Sequence, residues 1–232
     1  MTIYFDTAAS YPLLPTVETA MHHAFKEMYA NPSSQHNLGE QAAGGVEACR
    51  KKIAEALGAM PSEIIFTSGA TESNNLALKG HISSVSESAP KHIVVSTVEH
   101  KCIHAIVEHL VRVCGVTASF VAPDKHGIIS PEAIKSVITN ETSLISIMHV
   151  NNEIGTVNPL KEIGELCIKQ KIAFHSDAAQ GFLKDTIDVD NCNLDYLSIS
   201  AHKIGGPKGI GAIYIRDQRN RDIEPTIHGA GQ

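Results

Sequence analysis

The chain has no C-x-x-C pair, no apolar run of membrane-spanning length and no excess of positive charge, and each absence excludes a class of protein. A net charge of -6 over 232 residues argues against a nucleic-acid-binding domain, which normally carries a basic face. The apolar stretches 64–66, 93–95 and 144–150 are all far shorter than the about 20 residues of a spanning helix, so no membrane partner is expected. The five cysteines (Cys49, Cys102, Cys114, Cys167 and Cys192) are odd in number and scattered. They read as reduced thiols of a cytosolic protein, not as a disulfide framework or a zinc site. The chain opens directly into Ile3-Tyr4-Phe5-Asp6, without the basic and apolar regions of a signal peptide, and a cytoplasmic location is the expectation. Thirteen histidines are spread along the chain; only His22 and His23 adjoin, and helical neighbours point to different sides. No metal site is expected.

What is present suits one large α/β domain: 43% hydrophobic residues, 19% charged, and a length that can bury a sizeable core. Short β-rich runs cover 63–67, 92–96, 117–121, 143–148, 172–175, 196–200 and 211–215. Helical stretches over 39–57, 71–81, 104–114, 131–139 and 159–170 lie between most of them. Pro131 and Pro159 fit first-turn positions, with Ser130 and Asn158 before them as N-caps. The polar segment 83–90 reads as a surface loop. Such alternation predicts a three-layer fold, a mostly parallel twisted sheet with helices on both faces. Ligands of such sheets collect at the carboxyl ends of the strands.

Five strand ends there carry chemically useful groups. After 63–67 comes a small-residue turn with Gly69, Ala70 and Thr71 that opens a helix, leaving N–H groups free for a phosphate. It matches neither the G-x-x-x-x-G-K-[ST] loop nor the G-x-G-x-x-G fingerprint. The following ends present Glu99-His100, then Asn151-Asn152, then Asp177 with Gln180, then Ser200, His202 and Lys203. Singly these read as caps, turns or surface groups; their coincidence carries the argument. Pyridoxal phosphate chemistry asks for a lysine amine, a carboxylate beside the pyridine nitrogen, a flat side chain on the ring and donors for the phosphate. Lys203, Asp177 and His100 suit the first three roles, and Thr71, Ser200 and His202 suit the phosphate.

Seven segments together resemble the cysteine desulfurases, a class V branch of the fold-type-I pyridoxal phosphate enzymes. They are Y-F-D-T-A-A at 4–9, N-P-S-S-Q-H at 31–36 with Gly39, T-S-G-A-T-E-S at 67–73, E-H at 99–100, H-V-N-N-E-I-G at 149–155, H-S-D-A-A-Q at 175–180, and S-A-H-K-I-G-G-P-K-G-I-G at 200–211. The N-P-S-S segment points to the subgroup that supplies sulfur for iron–sulfur cluster assembly and tRNA thiolation. The resemblance implies that Lys203 is the Schiff-base lysine, Asp177 the partner of the pyridine nitrogen and His100 the stacking residue. It implies Gln180 and Asn152 at the ring hydroxyl or the substrate side, with Asn152 favoured over Asn151. It implies Ala70, Thr71, Ser200 and His202 at the phosphate. L-cysteine as substrate, a sulfur-acceptor or scaffold protein and a homodimer follow as implied partners.

By the same resemblance, residues 1–232 are the cofactor-binding large domain with an N-terminal segment at 1–15. The C-terminal small domain, with its persulfide-forming cysteine and substrate-binding arginine, is expected to lie outside this chain, I-H-G-A-G-Q at 227–232 being the start of a glycine-rich segment that leads towards it. The 232-residue chain is therefore expected to be incomplete for catalysis. Cys102, two residues after His100, reads as a small packed hydrophobe near the site. Two rival readings stand beside this one. Another class V enzyme, such as a selenocysteine lyase or an aminotransferase, is disfavoured by the N-P-S-S-x-H and N-N-E-x-G segments. A non-catalytic cofactor- or partner-binding protein is disfavoured by the intact site motifs.

Overall fold

The computed structural model describes residues 3–85, 91–216 and 223–229. Helices α1 (Pro15–Glu27) and α2 (Asn37–Leu57) precede strand β1 (Ile64–Thr67). Helices and strands then alternate as α3 (Ala70–Ser84), β2 (His92–Ser96), α4 (Lys101–Cys114), β3 (Thr117–Val121) and α5 (Pro131–Lys135). They continue as β4 (Thr142–Ser146), α6 (Leu160–Gln170), β5 (Ala173–Asp177), β6 (Tyr196–Ser200) and β7 (Gly211–Ile215). The sheet runs in the order β1-β7-β6-β5-β4-β2-β3. Strand β7 is antiparallel to both its neighbours, and every other pairing is parallel. The carboxyl ends of β1, β2, β4, β5 and β6 therefore open on one side of the sheet, where β7 begins.

The period of two along each strand divides the core between the two faces. Val94, Ile145, Leu197 and Tyr214 pack with Ala54 and Leu57 of α2, Ile134 of α5 and Ile163 of α6. Ile93, Val95, Leu144, Tyr196 and Ile213 face the other way, against Leu78 of α3 and Ile103, Ile106 and Leu110 of α4. Strands buried on both faces read as continuous apolar runs rather than as alternating ones. Helices α2 and α4 end where Gly58 and Gly115 take left-handed φ angles of 69° and 66°. No helix among the described residues is long and apolar enough to cross a membrane.

Several boundaries differ from the sequence expectation. Helix α1 was not anticipated; its apolar residues Val17, Met21 and Ala24 recur at helical spacing but are only half-buried, and none of its residues is fully buried. Asn158 does not cap α6, since Pro159 holds that place. Its amide instead bridges two loops, accepting from Ile129 N–H and donating to Met148 O. Ser130 does cap α5 through its side chain, but that helix stops at Lys135 rather than 139. Strand β4 starts one residue early and ends at Ser146, and β5 runs on to Asp177. Glu63 belongs to a 3-10 turn begun by Pro61. Of the expected loop at 83–90, residues 83 and 84 close α3, whereas 86–90 lie outside the described residues, as do 230–232 of the glycine-rich segment.

Candidate active site

A cavity of about 780 Å³ opens at the carboxyl ends of the strands, and all nine candidate residues line it: Ala70, Thr71, His100, Asn152, Asp177, Gln180, Ser200, His202 and Lys203. Topology alone explains the gathering. Parallel neighbours bring His100 after β2, Asn152 after β4, Asp177 at the end of β5 and Ser200 at the end of β6 to one level. The turn after β1 arrives beside them because Gly211 starts β7 against it. A Cβ at Gly211 would sit 2.6 Å from both Gly69 Cα and Ile199 O, so only glycine permits this approach. Gly69 is the N-cap of α3, and it offers no side chain, which leaves the first-turn amides uncapped from within.

Asp177 is the buried charge of the site, with 5% of its surface exposed. Burial raises its carboxyl above the usual range, while the Ala179 N–H and the Asn74 amide, at 2.9 and 2.8 Å, and the nearby His100 and Lys203 pull it back. Lys203 moves the opposite way: burial depresses its amine, opposed by Asp177 and Asp6. Its Nζ donates to Ala8 O at 2.6 Å and Ala9 O at 3.0 Å. Gln180 Nε2 donates to the same Ala8 carbonyl at 2.7 Å. Ser200 Oγ and His202 Nδ1 are paired at 2.8 Å. A depressed amine facing a buried carboxylate is the arrangement that carbonyl chemistry uses, because a larger fraction of the amine is free to act as a nucleophile.

The structure separates the two adjacent asparagines. Asn151 is buried; its Oδ1 accepts from the N–H groups of Glu153 and Ile154, and its Nδ2 donates to Val98 O. Those bonds hold the loop, and Asn152 is the one on the cavity. Other groups carried no role in the sequence reading. Asp6, Ala8, Ala9 and Ser10 form one rim of the cavity, and Lys208 joins another. Glu99 lies buried behind His100, its Oε1 accepting from Ser96 Oγ and Met148 N–H. Burial is the main cause of a carboxyl pKa pushed up to about 8 there, so the group is an acid at neutral pH. Asn74, fully buried on α3, stands between Asp177 and Cys102. The Y-F-D-T-A-A and E-H segments were visible signals for two of these groups; nothing in the sequence signalled Asn74.

The family model described as aminotransferase class-V matches residues 3–232. Cysteine desulfurase IscS of Rickettsia bellii (strain OSU 85-389) is 48% identical over 231 residues, covering 99% of this chain and 56% of that protein. The mitosomal cysteine desulfurase of Trachipleistophora hominis is 46% identical over 232 residues, with 52% of its length covered. The chain thus spans about half the length of the curated relatives it matches. Among solved structures, "SspA in complex with cysteine" superposes with a TM-score of 0.94 at 46% identity, covering 100% of this chain and 66% of that one. A "NifS-like protein" gives the same TM-score at 36% identity, with 63% of it covered.

Proposed function

The chain belongs to the aminotransferase class-V family, and from that premise we propose that it is the cofactor-binding large domain of a cysteine desulfurase. The family depends on pyridoxal phosphate. The donor set of the cavity fits that group. Uncapped first-turn amides of α3, the Thr71 hydroxyl and the Ser200–His202 pair suit a phosphate. Asp177 suits a protonated pyridine nitrogen, and the exposed His100 ring suits the cofactor's ring face. The observation that carries the reading is the depressed Lys203 amine sharing one cavity with the buried Asp177 carboxylate.

When bound, pyridoxal phosphate supplies an aldehyde that condenses with amines and a ring that accepts the electrons of a breaking bond. Lys203 would join that aldehyde and, once released by an incoming amino acid, carry protons within the cavity. Asp177 would hold the proton on the pyridine nitrogen. His100 would pack on the ring, Gln180 and Asn152 would meet its hydroxyl or the substrate, and Ala70, Thr71, Ser200 and His202 the phosphate. The net reaction of a cysteine desulfurase passes the sulfur of L-cysteine to a protein thiolate, leaving alanine and a persulfide. L-cysteine as substrate is supported by the relative solved in complex with cysteine. A sulfur-acceptor or scaffold protein, a homodimer and a cytoplasmic location complete the proposal, as does a role in iron–sulfur cluster assembly and sulfur transfer.

The test is reduction of the pyridoxal phosphate-loaded chain with borohydride, followed by peptide mass mapping. The expected adduct is on Lys203; an adduct on Lys208, or none, overturns the site. Preincubation with L-cysteine should diminish that adduct more than the same concentration of L-aspartate does. Equal protection by the two would overturn the substrate.

A further inference from the structure

Along one wall of the cavity, hydrogen bonds join two of the candidate residues through Asn74 and Cys102, a pair that the proposed function does not use. The Asn74 amide nitrogen donates to Asp177 Oδ2 at 2.8 Å and to Cys102 Sγ at 3.1 Å, so both of its hydrogens are engaged. Turning that amide over would set its oxygen against the carboxylate, and the Asp177 contact therefore fixes its orientation. The second carboxylate oxygen accepts from Ala179 N–H. At the other end, Cys102 Sγ lies 3.0 Å from His100 Nδ1, and the Cys102 backbone N–H donates to the same nitrogen at 3.2 Å. A ring nitrogen that accepts a backbone N–H carries no hydrogen of its own. The thiol can therefore meet Nδ1 only as a second donor sharing that lone pair, and the ring proton of this arrangement sits on Nε2.

We propose that Asn74 and Cys102 are positioning residues that tie the Asp177 carboxylate to the His100 ring, setting the plane of the one and reinforcing the tautomer that the Cys102 backbone N–H favours in the other. The inference rests on the cofactor reading above, in which Asp177 meets the pyridine nitrogen and His100 the ring face. Each member of the chain polarises the next: an N–H directed at Sγ makes the thiol a better donor to the imidazole. The thiol is suited to donate, because burial raises it above its ordinary range and keeps its hydrogen in place. That same shift makes Cys102 a poor nucleophile, which leaves positioning as its use in the cavity. Asn74 is the hinge of the arrangement: one residue on α3 reaches the end of β5 and the start of α4 at once.

The test compares the full 232-residue chain with its Cys102→Ser, Cys102→Ala and Asn74→Ala variants. Long-range proton–nitrogen correlation NMR reads the imidazole tautomers, with a His100→Gln variant to assign the signals, and equilibrium titration reads pyridoxal phosphate binding. The wild type and Cys102→Ser are expected to keep the proton on Nε2, since a hydroxyl replaces the thiol as donor. Cys102→Ala and Asn74→Ala should shift the tautomer ratio roughly fivefold, the size of one ordinary hydrogen bond. Asn74→Ala should also weaken cofactor binding roughly tenfold, because Asp177 loses a donor. A tautomer unmoved in both alanine variants, or a serine variant that behaves as alanine, overturns the proposal. Should Asn74→Ala fail to fold, the Cys102 pair decides. A wild type that binds no pyridoxal phosphate would sink the cofactor reading, and the tautomers of the cofactor-free chain would still decide this one.

Discussion

Replacing Glu99 with glutamine should change how stability depends on pH, because this carboxyl holds a proton beneath the site. Glu99 is 6% exposed, and burial, helped by the nearby Asp177, outweighs its hydrogen bonds from Ser96 and Met148 to raise its pKa from 4.5 to about 8. In the unfolded chain the group ionises near pH 4.5, so folding takes up a proton everywhere between there and about 8. The stabilisation is complete below the unfolded value. It is lost at about 1.4 kcal/mol per pH unit as pH rises through that window. Between pH 5 and 8 the loss is about 4 kcal/mol. Glutamine is isosteric and does not titrate; its Oε1 can still accept from Ser96 and Met148. Its Nε2 takes the place of Oε2, which has no hydrogen-bond partner among the described residues, and this adds a pH-independent cost of about 1–3 kcal/mol. The variant should therefore be the less stable protein at pH 5 and the more stable one at pH 8. Urea unfolding of both cofactor-free proteins at unit pH steps, followed by far-UV circular dichroism, measures the difference; shifts from other titrating groups largely cancel in it. A difference constant to within about 0.5 kcal/mol across the range would falsify the burial argument. It would mean that Glu99 stays ionised in the folded chain.

Asp177→Asn should loosen pyridoxal phosphate roughly 10- to 100-fold, as loss of a charged hydrogen bond does, while cofactor-free stability at neutral pH holds or rises, because burial already penalises the carboxylate. Unchanged affinity in a cofactor titration would reduce the residue to a structural role. His81 and His175 are held neutral by burial, at about 4 and about 3, so stability should fall as pH drops below 6.5. Each contributes about 3 kcal/mol of that fall by pH 4, and a His175→Gln variant that acid-unfolds along the wild-type curve would contradict the assignment. Gly164→Ala should lower the urea midpoint, since a Cβ there would lie 1.9 Å from Cys192 O and push α6 off the sheet, at about 1–3 kcal/mol. Gly44→Ala, in open space on α2, is the control and should stabilise by up to about 1 kcal/mol.

The sequence by itself determined which groups could meet. Short β-rich runs separated by helical stretches dictate a mostly parallel sheet, and parallel strands deliver their carboxyl ends to one side, so His100, Asn152, Asp177, Ser200 and Lys203 had to converge once those runs were recognised. Helix punctuation was legible where it is local chemistry, as with Ser130 capping α5. Tertiary structure alone decided what depends on residues far apart. The antiparallel place of β7 between β1 and β6 follows from pairing, which leaves no trace in one strand's composition. Asn158 has the sequence position of a cap, yet bonds across 29 residues to Ile129. Asn74 looks like one polar residue in a helix, and reaches Asp177 across 103 residues. The raised acid of Glu99 and the depressed amine of Lys203 belong to this second group, because desolvation is a property of the packed surroundings and not of the residue that titrates.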